Sequence, residues 1–524
     1  MEMGIKHKLR DAVPFVVMLA LSAVLFVIVA SGKRIQFCDE MFSYTITNSD
    51  SPLYQLSENK WYTNEEFADK LTHTENDSLR QTLAMVKQDF VHPPLYYICF
   101  YISSVISGKD FSKWTGLAVN FLFFMGTQVF IWLIVRKIFQ SPFTAFIACM
   151  IYALNKSTLS NACLVRMYMM MTFFLAAFVY INMLIIDRDG KEKRLYIWLG
   201  VVTATGFMTQ YYFALFAILF FVVEAVSGCI NRKYKRIMMY LGSMVMAVIL
   251  ATFVWDFWME AILKRFITTS MTGRSLNLFS NIPLMLDGLV IMQMSVFQWG
   301  YKAAEWVVPI IIIVFLLHPQ KDDKYPGLKE LVVKMTVAAV FYAGCVRYIS
   351  PLNSTRYYYP ADMLEILVVI VCAVYLASLA CNRLVNILVC TVLLVGNILL
   401  MVNGFGIDYY GEGPQYDAQR NILSQYGKIP YIVVGGESIE VSGSLQNFLM
   451  ASDIIRITEN YEADGSEVLG EAKQFIIVCQ GDENGNSEIA DYGLYYYIMS
   501  TGNFAGRDFL IRSNGLNYYI AHRR

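Results

Sequence analysis

Charge is scarce in this chain. Only 16% of its 524 residues are Asp, Glu, Lys or Arg, whereas 56% are hydrophobic and mean hydropathy is +0.45. A soluble domain averages about 25% charged, so the composition is that of an integral membrane protein and excludes an ordinary soluble enzyme. Paired cysteine is lacking too. The ten Cys are scattered, mostly inside apolar segments, with no disulfide framework and no metal-ligand spacing. Gly435-Gly436 lacks the rest of a nucleotide-binding fingerprint.

The charge that is present is unevenly placed. Residues 407–524 hold 16 of the 42 acids and 8 of the 42 Lys and Arg, leaving a basic front part and an acidic, more polar tail. Basic clusters at Lys6–Arg10, Arg136–Lys137, Arg188–Arg194, Arg232–Arg236, Lys321–Lys329 and Arg383 mark cytoplasmic loops, which carry an excess of Lys and Arg. They alternate correctly for about eleven spans: 12–31, 114–135, 140–158, 166–186, 195–209, 211–230, 237–256, 305–318, 331–349, 362–381 and 384–403. The first, LALSAVLFVIVA in its core, reads as an uncleaved signal anchor. PLYYICFYISSVIS (94–107) is short of the ~20 residues a span needs and reads as an interfacial or re-entrant helix.

This threading predicts a multi-pass protein of the plasma membrane with a cytoplasmic N-terminus. A transmembrane domain over 1–406 contains a first outer loop at 32–113, and other outer loops fall near 159–165, 257–304 and 350–361. Residues 407–524 form a small extracytoplasmic α/β domain. In it IPYIVVGG, DIIRIT and KQFIIVCQ read as strands, GSLQNFLMAS (443–452) as a short helix, and DFLIRSNGLNYYIAHR as a hairpin on an Asn-Gly turn.

Polar chemistry collects at the outer ends of the spans. FCDEMFSY (37–44) sets Asp39 and Glu40 just past the first. HPPLYY (92–97) opens the interfacial helix with His92 and Tyr96. NACLVRMYM (161–169) carries Arg166 and Tyr168, and STRYYYP (354–360) carries Arg356 and Tyr357. An acid pair at a helix exit is commonly a solvated face, and a membrane Arg can snorkel. Yet Arg in a membrane helix is expensive and is usually partnered, and a phosphate at headgroup depth matches its planar fork.

In this order the motifs resemble the GT-C glycosyltransferases, in the branch containing protein O-mannosyltransferases and bacterial aminoarabinose transferases, over about residues 1–400. The resemblance implies a GT-C-like helical membrane fold. It also implies an enzyme that moves a sugar from a polyprenyl-phosphate carrier to an extracytoplasmic protein, lipid or cell-wall glycan, with inversion at the anomeric carbon. On the same ground Asp39 is implied as base, with Glu40 beside it. His92, Tyr96, Arg356 and Tyr357 are implied as carrier-phosphate residues, with Arg166 and Tyr168 from a second-loop motif. Spacing alone does not decide between Asp39 and Glu40. No acid lies between 159 and 168, unlike the metal-dependent oligosaccharyltransferase branch, so neither metal nor cofactor is expected, and no nucleic acid. Two alternatives stay open: a lipid-linked sugar transporter, which would show acids at mid-membrane and broken spans, and a silent carrier-binding assembly subunit.

Overall fold

Runs of apolar sequence have few ways to hide their backbone polar groups, and a helix does so within its own segment. The computed structural model follows that rule. It describes residues 2–50, 60–75, 77–108, 110–271, 281–319, 327–350, 354–380, 382–403, 406–409, 416–426, 429–434, 455–458, 473–480, 504–513 and 516–523. The first helix, α1 (Glu2–Ser31), leads into an irregular turn and then a cap of four short helices: α2 (Cys38–Asn48), α3 (Asn64–Leu71), α4 (Leu79–Asp89) and α5 (Leu95–Ser107). The bundle continues with α6 (Lys113–Phe139), α7 (Pro142–Ala153), α8 (Lys156–Cys163), α9 (Tyr168–Asp187), α10 (Lys193–Thr209), α11 (Phe213–Ile230) and α12 (Tyr234–Val254). After α13 (Trp258–Met271) come α14 (Ile282–Phe297), α15 (Tyr301–Leu317), α16 (Leu328–Ile349), α17 (Tyr359–Ser378) and α18 (Arg383–Asn403), and α19 (Tyr416–Gln425) opens the tail.

Among the described residues nine helical stretches are long and apolar enough to cross a membrane. The expected spans at 140–158 and 195–209 are occupied by shorter helices, α7 of 12 residues and α10 of 17. The expected loop at 257–304 is instead largely helical, because α14 lies within it. Alternation of the basic clusters leaves that stretch outside, but its polar residues find partners on neighbouring helices: Asp287 pairs with Arg347 at 2.8 Å and Gln293 donates to Glu365. A polar residue satisfied by a neighbouring helix does not forbid burial. Helix α5 has 13 residues, about 20 Å at 1.5 Å per residue, short of the ~30 Å hydrocarbon core.

Six strands form one sheet in the order β1-β3-β2-β4-β6-β5, from β1 (Lys60–Tyr62), β2 (Tyr431–Val434), β3 (Ile455–Thr458), β4 (Gln474–Gln480), β5 (Phe504–Ser513) and β6 (Leu516–Arg523). Strands β3, β2 and β4 run parallel, while β5 and β6 make the expected hairpin, Ser513 facing Leu516. The proposed helix at 443–452 lies outside the described residues. Edge strand β1 comes from the segment before α3, not from the tail, and pairs antiparallel with β3, Trp61 opposite Arg456. The first loop and the C-terminal unit therefore share a sheet. Leu516, Tyr518 and Ile520 of β6 point to one face, as the period of two requires, and all are buried.

Where α11, α12 and α16 meet, Arg236 and Lys334 enclose Glu224, and Arg236 and Lys334 also reach Glu330. Twelve residues separate Glu224 from Tyr212, which adjoins the site, or about 18 Å of helix. This buried cluster is thus remote from the chemistry described next.

Candidate functional site

The site grows from the first turn of α2. Phe37 has no acceptor in its side chain, so the helix start is satisfied from within by Glu40, whose Oε2 accepts from the Phe37 amide at 2.6 Å. An acid here also matches the positive end of the helix dipole. Glu40 is fully buried; its Oε1 accepts from the Val165 amide at 2.6 Å, and Lys33 Nζ lies 2.8 Å from Oε2. Burial pushes its carboxyl up, against Lys33 and the two amides, which favour the charged form.

Asp39, one residue earlier, points the other way. Its Oδ2 pairs with Nη1 of Arg356, and its side chain keeps 20% exposure against 6% for the Arg. Arg356 sits in a single 3-10 turn, Thr355–Tyr357, ahead of α17. Its guanidinium lies 5.7 Å from the Phe37 ring centre and 5.2 Å from that of Tyr357, and Nη2 approaches the Tyr357 hydroxyl at 3.5 Å. Cation–π contacts of this kind are stronger when desolvated. Tyr357 is held edge-on to Tyr168 at 5.9 Å and to Tyr212 at 6.2 Å, and its carbonyl accepts from Tyr342 at 3.0 Å. Among the described residues, Nε of Arg356 has no acceptor.

The loop between α8 and α9 carries Arg166. Its Nη1 donates to the Asp39 carbonyl at 2.9 Å and to the Ser43 hydroxyl at 3.3 Å, while Nη2 meets His92 Nε2 at 2.9 Å. The loop is pinned from beneath as well. Asn120 donates to the carbonyls of Ala162 and Leu164, and Ser43 Oγ to that of Val165 at 3.0 Å. Gly116 lets α6 pass this close, since a Cβ there would stand 2.0 Å from Val165 Cγ1.

His92 is not turned towards Arg356. Its Nδ1 is 2.8 Å from Asp89 Oδ2 and its Nε2 is taken by Arg166. The Asp89 carboxyl, which burial would raise, is brought below its usual value by His92 and then Arg166. Tyr96 is buried on α5; its hydroxyl has no partner among the described residues, and burial raises its pKa. The thiol of Cys38, beside Asp39, is pushed up to about 12 by burial, which leaves it protonated.

The structure therefore joins Asp39, Arg356, Tyr357 and Tyr168 in one cluster, and Arg166 and His92 in an adjoining one. It sets Glu40 behind them. Sequence reading passed over Asp89 and Lys33, although the three-residue spacing of Asp89 and His92 was the signal for the first. Among the described residues no group of three or more His, Cys, Asp or Glu could hold a metal. An apolar groove of about 300 Å³ lies between α10, α11, α12 and α13, lined by Phe207, Ala217, Phe221, Val248, Trp258 and others. Phe207 touches Trp258 and Tyr211, at 5.5 and 5.2 Å between ring centres. Tyr212, the next residue, reaches Tyr357.

The fold, a mostly helical bundle with a small C-terminal sheet unit, is similar to that of GT-C glycosyltransferases. Residues 91–255 match the family of dolichyl-phosphate-mannose-protein mannosyltransferases, and that segment carries His92, Tyr96, Arg166 and Tyr168. Among solved structures the chain is similar to ArnT from Cupriavidus metallidurans bound to undecaprenyl phosphate (12% identity, TM-score 0.54, 96% of this chain and 97% of that chain covered). The same protein in its apo state matches with 11% identity, the same TM-score and the same coverage. The Archaeoglobus fulgidus oligosaccharyltransferase, tethered to an acceptor peptide with the NVT sequon, matches with 10% identity and TM-score 0.45 over 96% of this chain and 74% of that one. No curated protein matches.

Proposed function

We propose that this chain transfers a sugar from a polyprenyl-phosphate carrier to an acceptor hydroxyl or amine at the extracytoplasmic face, with Asp39 as base. The observation that carries the reading is the Asp39–Arg356 pair, a partly exposed carboxylate against a buried guanidinium backed by Phe37 and Tyr357. In the bound state Arg356 turns its fork to the carrier phosphate and releases Asp39 to the acceptor. The acceptor heteroatom attacks the anomeric carbon opposite the phosphate, its proton passes to Asp39, and the anomeric carbon–oxygen bond breaks with its electron pair on the phosphate, inverting the centre. The donor is a phosphate diester of one charge and the product a monoester of two. Arg356 and Tyr357 thus bind the departing group more strongly than the incoming one, and that difference lowers the barrier. The groove between α10, α11, α12 and α13 takes the isoprenoid tail, Tyr168 steadies Tyr357 edge-on, and Glu40 holds the helix start. No metal enters the scheme. The acceptor is a protein, lipid or cell-wall glycan.

Full-length chain in lipid nanodiscs, given synthetic polyprenyl-phosphate sugars and a panel of acceptors, tests this by mass spectrometry of released polyprenyl phosphate and NMR of the product anomer. Retention of configuration, or release that Asp39→Asn leaves unchanged, would refute the mechanism. Sidedness is tested by a reporter fused after Arg524 that works only in the cytoplasm; a signal from it overturns the orientation.

A further inference from the structure

We infer that Asp89 and His92 form a positioning pair: with His92 held as the Nδ1–H tautomer, they orient Arg166 beneath the first turn of α2 and so fix Asp39. Arginine carries donors only and stays protonated. The 2.9 Å contact between Arg166 Nη2 and His92 Nε2 is therefore an N–H donating to an unprotonated nitrogen. A neutral imidazole has one N–H, which falls on Nδ1, 2.8 Å from Asp89 Oδ2, and a carboxylate at that nitrogen sets the tautomer. The backbone is shaped for the pairing. Helix α4 ends at Phe90 in the left-handed region, φ 45°, and the Val91 amide turns back to the Asp89 carbonyl at 2.6 Å. The other hand of Arg166 holds Asp39 O and Ser43 Oγ. His92 therefore serves as a lone-pair acceptor rather than as a cation for the carrier.

Protonation would reverse its role. An imidazolium carries a proton on Nε2, so donor would face donor and cation would face cation, and Arg166 would leave the first turn of α2. Among the described residues, the groups that bear on His92 are Asp89 at the end of α4, Tyr97 on α5 with its ring 6.3 Å away, and Arg166, which holds the Asp39 carbonyl on its other side, with Arg356 beyond Asp39. Tyr211 faces Asp89, whereas Lys87 turns to Asp256 and Trp255. Asp89 favours the imidazolium; the two Arg oppose it.

The pH-activity part of the test rests on the proposed transfer reaction; the tautomer part does not. Wild type in nanodiscs, assayed with polyprenyl-phosphate sugar from about pH 5 to about pH 8, loses turnover on the acid side as His92 gains its proton. His92→Gln, whose amide oxygen still accepts from Arg166, keeps kcat within about tenfold and lacks this acid limb. Asp89→Asn shifts the limb to lower pH, because the anion favouring the imidazolium is gone. An unchanged limb in His92→Gln, or a limb moved upward in Asp89→Asn, overturns the inference. The ¹⁵N NMR spectrum of histidine-labelled protein, wild type minus either variant, shows a neutral Nδ1–H ring at neutral pH. A ring protonated on Nε2 overturns it even where no transfer is seen.

Discussion

Glu40→Gln separates the two adjacent acids. The carboxylate uses both oxygens, Oε1 for the Val165 amide and Oε2 for the Phe37 amide and Lys33. A carboxamide has one acceptor oxygen and turns an NH₂ against donors on the other side. With its oxygen kept toward Phe37 and Lys33, the amide still loses the bond from Val165, at ~1.5–3 kcal/mol, the bonds that remain lose their anionic acceptor, and Lys33, whose side chain is 0% exposed, keeps an unbalanced charge. Breaking one partner of a buried pair costs about 3–5 kcal/mol, and the same figure is expected here. Replacing both partners, in Lys33→Met with Glu40→Gln, should recover most of it, because the buried cation disappears with its anion. The assay is denaturant or thermal unfolding of the detergent-solubilised chain, with carrier binding and turnover measured below the transition. If Glu40→Gln unfolds like wild type yet loses transfer by about 10²-fold, Glu40 takes part in the chemistry and its structural assignment is wrong.

Asp39→Asn keeps shape but not basicity, so turnover should fall by roughly 10²-fold or more while carrier binding stays near wild type; equal loss of both would make Asp39 a binding residue. Arg356→Ala should weaken retention of polyprenyl phosphate by about 1.5–3 kcal/mol, and Arg356→Lys should restore little, because a point charge cannot replace the planar fork; unchanged lipid by mass spectrometry in both removes Arg356 from the site. The Asp89 carboxyl is held below its ordinary value, so it stabilises the fold fully above about pH 3.9 and loses that contribution as pH falls through its lower folded value; the acid unfolding curve of Asp89→Asn should accordingly be shallower. Gly116→Ala drives a methyl into Val165 and should cost about 1–3 kcal/mol by overpacking, with the loop of Arg166 displaced.

Much of this architecture is legible because membrane helices announce themselves locally. Apolar length gives eleven expected spans, against nine stretches long and apolar enough among the described residues, and the strands at Tyr431–Val434, Gln474–Gln480 and the final hairpin follow from short β-branched and aromatic runs. What the sequence does not show is non-local. The alternation of basic clusters makes 257–304 an outer loop, whereas helix α14 within it packs against α16 and α17, where Asp287 meets Arg347 and Gln293 meets Glu365. Strand β1 has three residues and no signal without its partner β3. At the site, residue types single out segments that the fold brings together, but not the orientation of their side chains. Asp39 and Glu40 are consecutive on a helix, about 100° apart, and only the positions of Arg356 and Val165 show which faces the cleft.

Charge neutrality explains why a site so deep tolerates so many ions. The contacts described join three cations, Lys33, Arg166 and Arg356, to three anions, Asp39, Glu40 and Asp89, with His92 neutral between them. Burying unbalanced charge in a low-dielectric region is strongly unfavourable, so this balance is itself a condition of folding. In the proposed reaction the donor adds one negative charge and the product phosphate carries two. If the acceptor proton escaped to water, the site would hold one more negative charge after transfer than before. If it moves to Asp39, the carboxylate is neutralised as the phosphate gains its second charge, and the total is unchanged. Base and leaving group therefore exchange charge around Arg356. That geometry calls for an acid paired to the very Arg that meets the phosphate, which is the arrangement Asp39 has and Glu40, bound to Lys33, does not.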